Sequence, residues 1–401
     1  MPSPRTIELV KATVPALQAH GLALTTHFYD RLFSNEPELK NIFNLGNQAG
    51  GQQQQALALA VLAYAQNIEN PSALAPVASR IAHKHASIGI RPDHYPIVGR
   101  HLLASIREVL GEAATDEIIA AWAEAYGELA DVLIAAETEL YRASATAPGG
   151  WSGWREFVVD RKVRESELIT SFYLRPADSG ALPPFVPGQF ISIVLYIPEL
   201  GVEQIRQYSL SEAPNTGYFR ISVKREGQDP AGAVSNRLHD AVAIGETLRL
   251  SPPYGDFYLH EERDTPVVLV SGGVGLTPMV SMLNALAPTT RRAVFVHGAR
   301  NGRVHALKGH VEQLAADRAH VEHVVFYDAP AADDVAGRDY HFEGIVDLER
   351  IRARVELTDA DYYLCGPLPF MLKQRDTLLG WGIGRDRIHY EVFGPDQQIA
   401  A

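Results

Sequence analysis

Val267-Val268-Leu269-Val270-Ser271-Gly272-Gly273-Val274-Gly275-Leu276-Thr277-Pro278 decides how the last third of the chain folds. A short continuous apolar run suits a strand buried on both faces, as a parallel sheet requires. A glycine turn and a helical pattern follow, and Ala293 to His297 reads as the next strand. Asp361 to Leu364 is a further strand, closed by Cys365-Gly366-Pro367. Strand and helix alternate, so this region is a parallel α/β domain. Glycines directly after a buried strand let a dinucleotide backbone come close, and the helix N-terminus faces its phosphates. Gly272, Gly273, Val274, Gly275, Leu276 and Thr277, with Cys365 and Gly366, therefore form a candidate nicotinamide-binding set. Cys365 could instead be a reactive thiol, but no nearby residue supplies a base; a small residue beside the nicotinamide is the better reading.

Towards the N-terminus the texture changes to short β-type runs: Phe157-Val158-Val159, Ile169 to Leu174, Phe190 to Tyr196, Gln207 to Leu210 and Tyr218 to Lys224. Prolines and glycines separate them at roughly 8–12-residue spacing, the pattern of a β-barrel or sandwich. Arg206-Gln207-Tyr208-Ser209 is expected at the start of a strand, just after Pro187-Gly188-Gln189-Phe190. An arginine can fork onto a pyrophosphate, while a tyrosine and a serine two and three residues on can meet a flavin ring. Alone, the four would equally suit an ordinary strand with a surface arginine. Downstream, Gly232-Ala233-Val234-Ser235 opens a helical pattern whose free amide groups make a phosphate seat. The two motifs together favour a flavin site.

Composition sets the outer bounds. The chain has 401 residues, and its 36 basic and 48 acidic side chains leave a net charge of −12. So acidic a surface argues against non-specific binding to nucleic acid or anionic membranes. The 46% hydrophobic content excludes a disordered chain. The single cysteine excludes a disulfide scaffold and a cysteine-rich zinc or iron–sulfur site, and it suits a reducing compartment. Met1-Pro2-Ser3-Pro4-Arg5-Thr6 is not followed by the apolar core of a signal peptide, and the longest apolar run, Ala56 to Ala65, is half a membrane span. A cytoplasmic protein without integral membrane association is expected, with a monomer as the default.

From Thr6 to about Arg142 apolar residues recur every three or four positions, so the first third is all-helical. Pro15 kinks or restarts the first helix, Asn35-Glu36-Pro37 ends another, and Thr115-Asp116 reads as an N-cap pair. Ser144 to Gly153 reads as a flexible linker. In Ile81-Ala82-His83-Lys84-His85-Ala86, His85 continues the apolar stripe of Leu74, Val77, Ile81 and Ile88. His83, two residues earlier, falls on the opposite side of the helix. His85 is thus expected to point inward and His83 outward. A lone inward histidine is commonly a satisfied core residue. Here Glu137 interrupts the stripe of Tyr126, Leu129, Leu133 and Leu140, and a carboxylate on an inward face demands a partner. Tyr95, at a helix start, could provide one. A His–Tyr–Glu set would push electron density onto His85, as partners of a metal ligand do. Tyr29 and Phe33 share a face of their helix; Phe43 follows, then Gln53 and Leu57 at helical spacing.

The last 250 or so residues, through RQYS, GAVS, GGVGLTP and CGP in that order, resemble the ferredoxin–NADP reductase superfamily. That resemblance implies a six-stranded antiparallel FAD barrel followed by a nicotinamide domain. Phe190 stands where related flavin domains often carry tyrosine, so stacking is kept and a hydroxyl contact is lost. The first 147 residues, through FYDRLF, IFN, Gln53 with Leu57, AHKHAS, the Tyr95 region and Glu137, resemble a bacterial globin. A globin fused to this reductase is the flavohaemoglobin family. The resemblance divides the chain into a haem domain over 1–147, an FAD barrel over 151–262 and an NAD(P) domain over 263–401. It implies His85 as the ligand to haem b iron, Tyr95 and Glu137 as its partners, and Tyr29 as donor to bound oxygen. Gln53 and Leu57 would line the distal pocket, Phe43 would pack on the haem, and Lys84 would face the flavin side. Phe393 would cover the flavin ring, with Glu391 near the flavin–haem junction.

The implied activity is a nitric oxide dioxygenase: NADH or NADPH reduces FAD, FAD reduces haem, and NO and O2 become nitrate. A haem-dependent peroxide or lipid-hydroperoxide reductase and an O2 or NO sensor are the alternatives. Gly298-Ala299-Arg300-Asn301 offers no acidic partner for a ribose, so the sequence does not choose between NADH and NADPH.

Overall fold

The computed structural model describes residues 2–215, 217–227 and 232–394. Seven α-helices come first: α1 (Pro4–Ala12), α2 (Val14–Asn35), α3 (Leu45–Ala49), α4 (Gln52–Asn67), α5 (Ala75–Ile88), α6 (His94–Leu110) and α7 (Asp116–Thr146). The helix restarts where Pro15 enters the first turn of α2, a position that needs no amide donor. The Thr115 side chain caps α7 by accepting from the Ile118 amide. α7 runs through Thr146, so the first part of the expected linker is helical. Where α6 crosses α7, a side chain on Gly99 would lie 2.5 Å from the Tyr126 ring. Glycine there lets the two helices close up, and the Tyr126 hydroxyl donates to the Tyr95 carbonyl at 2.8 Å.

The middle region is an antiparallel sheet ordered β4-β3-β6-β1-β2-β5. Its elements are β1 (Arg155–Arg164), β2 (Ile169–Pro176), β3 (Phe190–Ile197), β4 (Val202–Ser209), β5 (Phe219–Lys224), α8 (Ala233–Asp240) and β6 (Thr247–Leu250). A bridge between Leu210, just past β4, and Ile221 in β5 joins the two edges into a barrel. Phe157, Phe172, Ile191, Ile193, Phe219 and Ile221 fill it.

The C-terminal region is a parallel sheet ordered β10-β9-β8-β7-β11-β12. It comprises β7 (Val267–Gly272), α9 (Leu276–Leu286), β8 (Ala293–Ala299), α10 (Lys308–Asp317), β9 (Val321–Tyr327), β10 (Phe342–Glu343), α11 (Arg352–Val355), β11 (Asp361–Cys365), α12 (Leu368–Gly380) and β12 (Ile388–Glu391). Val267 and Leu269 enter one apolar layer, Val268 and Val270 the other. All four are fully buried, as expected of a central parallel strand. No helix of the described residues is long and apolar enough to cross a membrane.

Candidate functional site

α5, α6 and α7 bring the inward histidine and its partners together. His85 Nδ1 lies 2.7 Å from Glu137 Oε1 and 3.1 Å from the Tyr95 hydroxyl. Tyr95 donates to the same Glu137 oxygen at 2.5 Å. Glu137 is only 1% exposed, so its charge rests on these donors. Burial, with the Glu137 bond next, pushes the Tyr95 phenol far up, so it remains a donor. With Nδ1 engaged, Nε2 is left as the atom for a ligand bond, and the Nδ1–H tautomer is fixed. Among the described residues no cluster of three or more His, Cys, Asp or Glu side chains could hold a metal by itself. One imidazole backed by a carboxylate, facing apolar helices, therefore fits an iron whose remaining ligands come from a macrocycle.

On α2, the Tyr29 ring packs against Phe33 and Phe43 at 5.8 Å each. Burial raises its phenol to about 12, partly opposed by the Gln53 and Gln48 side chains. Gln48 belongs to no motif and was not legible in the sequence. Gln53 and Leu57 lie on successive turns of α4, whose only fully buried member is Ala65. Its apolar face is therefore available to a planar prosthetic group.

RQYS forms the end of β4, not the start of a strand. Arg206 is largely enclosed, and its guanidinium reaches Gln204 Oε1 and the Ile205 carbonyl but no carboxylate among the described residues. Burial lowers its pKa, as for a cation removed from water without an anion. Such a group fits a pyrophosphate. Tyr208 and Ser209 sit beside it on β4, and burial pushes the Tyr208 phenol up. Gln207 instead donates to the Ser87 hydroxyl of α5 at 2.8 Å. Gly232, Val234 and Ser235 open α8; a side chain on Gly232 would lie 2.4 Å from Ser235 Oγ. Phe190 is buried against Tyr254 and Ala86.

Gly272, Gly273, Val274, Gly275, Leu276 and Thr277 run from the end of β7 into α9. A side chain on Gly275 would meet the Cys365 carbonyl at 2.3 Å, so only glycine lets this turn abut Cys365-Gly366. The Cys365 thiol is buried in the core, and burial raises its pKa far up. It is no nucleophile at neutral pH. Glu391 pairs in register with Cys365 from β12, and Phe393 is 45% exposed beyond it.

His83 does not face solvent, as helix periodicity had suggested. The barrel covers that side of α5: His83 Nδ1 accepts from the Gly255 amide at 3.0 Å. Lys84 Nζ donates to the Gly394 carbonyl at 3.3 Å. The fully buried Gln204, absent from any motif, joins the same interface. It donates to the Lys40 and Phe43 carbonyls and accepts from the Leu45 amide.

Three family profiles match the chain in order: globin over residues 26–133, an oxidoreductase FAD-binding domain over 156–258 and an oxidoreductase NAD-binding domain over 269–376. The chain is 60% identical to a flavohemoprotein of Bordetella parapertussis, over 98% of this chain and 99% of that one. Its fold matches a flavohemoglobin from Malassezia yamatoensis crystallised with bound FAD and heme, with a TM-score of 0.85, 29% identity and coverage of 98% and 99%. It also matches the FAD/NAD-binding domain of a nitric oxide dioxygenase from Vibrio cholerae, with a TM-score of 0.55 and 41% identity, covering 60% of this chain and 99% of that one.

Proposed function

The chain belongs to the flavohaemoglobin (flavohemoprotein) family, a haem globin joined to an FAD- and NAD-binding oxidoreductase, and from that premise we propose that it is a nitric oxide dioxygenase. When bound, FAD would supply the means to take a hydride from NAD(P)H and pass its electrons on singly, and haem would supply the iron for the chemistry of O2 with NO. His85 Nε2 would hold the iron. Glu137 takes the Nδ1 proton's hydrogen bond and makes the imidazole a stronger electron donor, which favours oxygen chemistry over storage. Tyr29 keeps its proton at physiological pH and would be the donor to a bound diatomic ligand. Phe43 and Leu57 exclude water there, and Gln53 orients the phenol.

Arg206 and the start of α8 would seat the FAD pyrophosphate, with Phe190, Tyr208 and Ser209 nearby for the ring. The turn from Gly272 to Thr277, with Cys365 and Gly366, would receive the nicotinamide dinucleotide. Phe393 would cover the flavin ring, with Glu391, at the end of β12, near the flavin–haem junction. The observation that carries this reading is the carboxylate-backed His85 on a helix whose other side is bonded to the reductase. Purified protein supplied with NADH should remove NO rapidly in air and accumulate nitrate. If NO loss is no faster with oxygen than without it, the dioxygenase reading fails.

A further inference from the structure

α5 carries His85 on one face, and from Arg80 to Ser87 its other side touches the reductase. Arg80 lies 3.8 Å from Asp256 and its guanidinium stands 5.5 Å from the Tyr390 ring centre. Ser87 accepts from Gln207 of β4. Between them, the His83 imidazole accepts from the Gly255 amide and meets the Tyr254 ring edge-on, with centroids 6.5 Å apart.

The Gly255 turn is itself tightly held. Phe190 and Tyr254 exchange two backbone hydrogen bonds, of 2.8 and 2.9 Å. Gly255 has φ +126°, and a side chain there would press on the Phe190 ring at 3.1 Å. Phe190 in turn pairs with Ser209, the last residue of RQYS. A continuous covalent and hydrogen-bonded path thus runs from His85 through Lys84 to His83, through Gly255 and Tyr254 to Phe190, and through Gln189, whose carbonyl accepts from the Leu210 amide at 2.9 Å, to Ser209 of the proposed flavin motif.

We infer that His83 is a positioning residue for electron transfer: its Nδ1, by accepting from Gly255, fixes the separation of the flavin and haem sites. The inference rests on the reading of the chain as a flavin-to-haem electron carrier. Electron transfer slows steeply with distance, so a bond that holds the barrel against α5 controls haem reduction without touching hydride transfer. A leucine that merely fills the space would not serve. An asparagine would, because its Oδ1 can take the place of the imidazole Nδ1 as acceptor.

The test compares the FAD- and haem-loaded wild type with His83→Leu, His83→Ala and His83→Asn. Three quantities are read: hydrogen exchange at the Gly255 amide, NADH-driven haem reduction trapped under carbon monoxide, and NADH-driven ferricyanide reduction, which draws electrons from the flavin directly. His83→Leu and His83→Ala should expose the Gly255 amide to exchange. They should slow haem reduction about fivefold, the population shift one net hydrogen bond supports, and leave ferricyanide reduction unchanged. His83→Asn should restore both protection and rate. The Ala variant removes the acceptor without adding bulk, so it carries the test if the Leu variant does not fold. Wild-type haem reduction in the Leu and Ala variants, or failure of Asn to rescue it, overturns the inference while leaving the electron-carrier reading intact. A wild-type protein whose haem NADH cannot reduce would overturn that reading and the inference with it.

Discussion

Glu137 Oε1 accepts from two donors, His85 and Tyr95, inside a helical core. Removing its charge should therefore be felt at the iron. Glu137→Gln is expected to lower the iron–histidine stretching frequency and to cut NO turnover by about tenfold, the usual effect of losing a ligand's hydrogen-bond partner. An unchanged stretching frequency would mean that the carboxylate does not act through His85. Burial pushes the Tyr29 phenol up to about 12. Below that pH it is a donor, and losing it in Tyr29→Phe should speed O2 release by about tenfold or more, the worth of a hydrogen bond to a charged acceptor. An off-rate equal to wild type would remove Tyr29 from the role. Both residues could be picked out from sequence, Glu137 because a carboxylate on an apolar stripe needs a reason and Tyr29 because of the motif around it. Gln48 could not, since a glutamine in a polar run signals nothing until the fold turns it towards Tyr29.

At the scale of elements, β4 shows where periodicity misleads. Val202-Glu203-Gln204-Ile205 does not read as a strand because Gln204, a polar residue, is the fully buried one. It is buried against the globin segment, not in the barrel, so a pattern read within one domain places the strand start too late. Its amide satisfies the Lys40 and Phe43 carbonyls and the Leu45 amide. Gln204→Leu would leave those groups without this partner and should destabilise the protein by about 3 kcal/mol, the order of one or two unsatisfied buried polar groups. Urea denaturation followed by haem absorbance measures it, and a loss below about 0.5 kcal/mol, the range of ordinary surface substitutions, would show that the staple is idle. The outward placement of His83 went astray for the same reason: helical geometry gives the angle between two side chains but not what stands opposite. By contrast β7 and its glycine turn were legible outright, since burial on both faces, the turn and the helix start are all local demands.

The whole molecule has a built-in acid limit. His297, on β8 in the middle of the parallel sheet, bonds to Ser271 at 2.9 Å and lies against His305 with the rings tilted and their centroids 4.7 Å apart. Burial lowers the His297 pKa from 6.5 to about 4, and that of His305 well below 6.5. A histidine kept neutral by folding contributes stability in full above its unfolded pKa and loses it as pH falls. His297 alone should cost roughly 3 kcal/mol between pH 6.5 and 4. Urea midpoints measured across that range should fall in the wild type and fall less in His297→Gln; parallel slopes would contradict the assignment. Three-part organisation was legible from changes of texture along the chain, whereas the contacts that fasten one part to another were not, because residues distant in sequence make them.

The central claim is that NO is oxidised by dioxygen at a haem fed from NAD(P)H. It is tested most directly with 18O2, unlabelled water, NO and NADH, and mass analysis of the nitrate formed. The account predicts nitrate in which both atoms of one O2 molecule are incorporated. Nitrate carrying one labelled oxygen or none would contradict it.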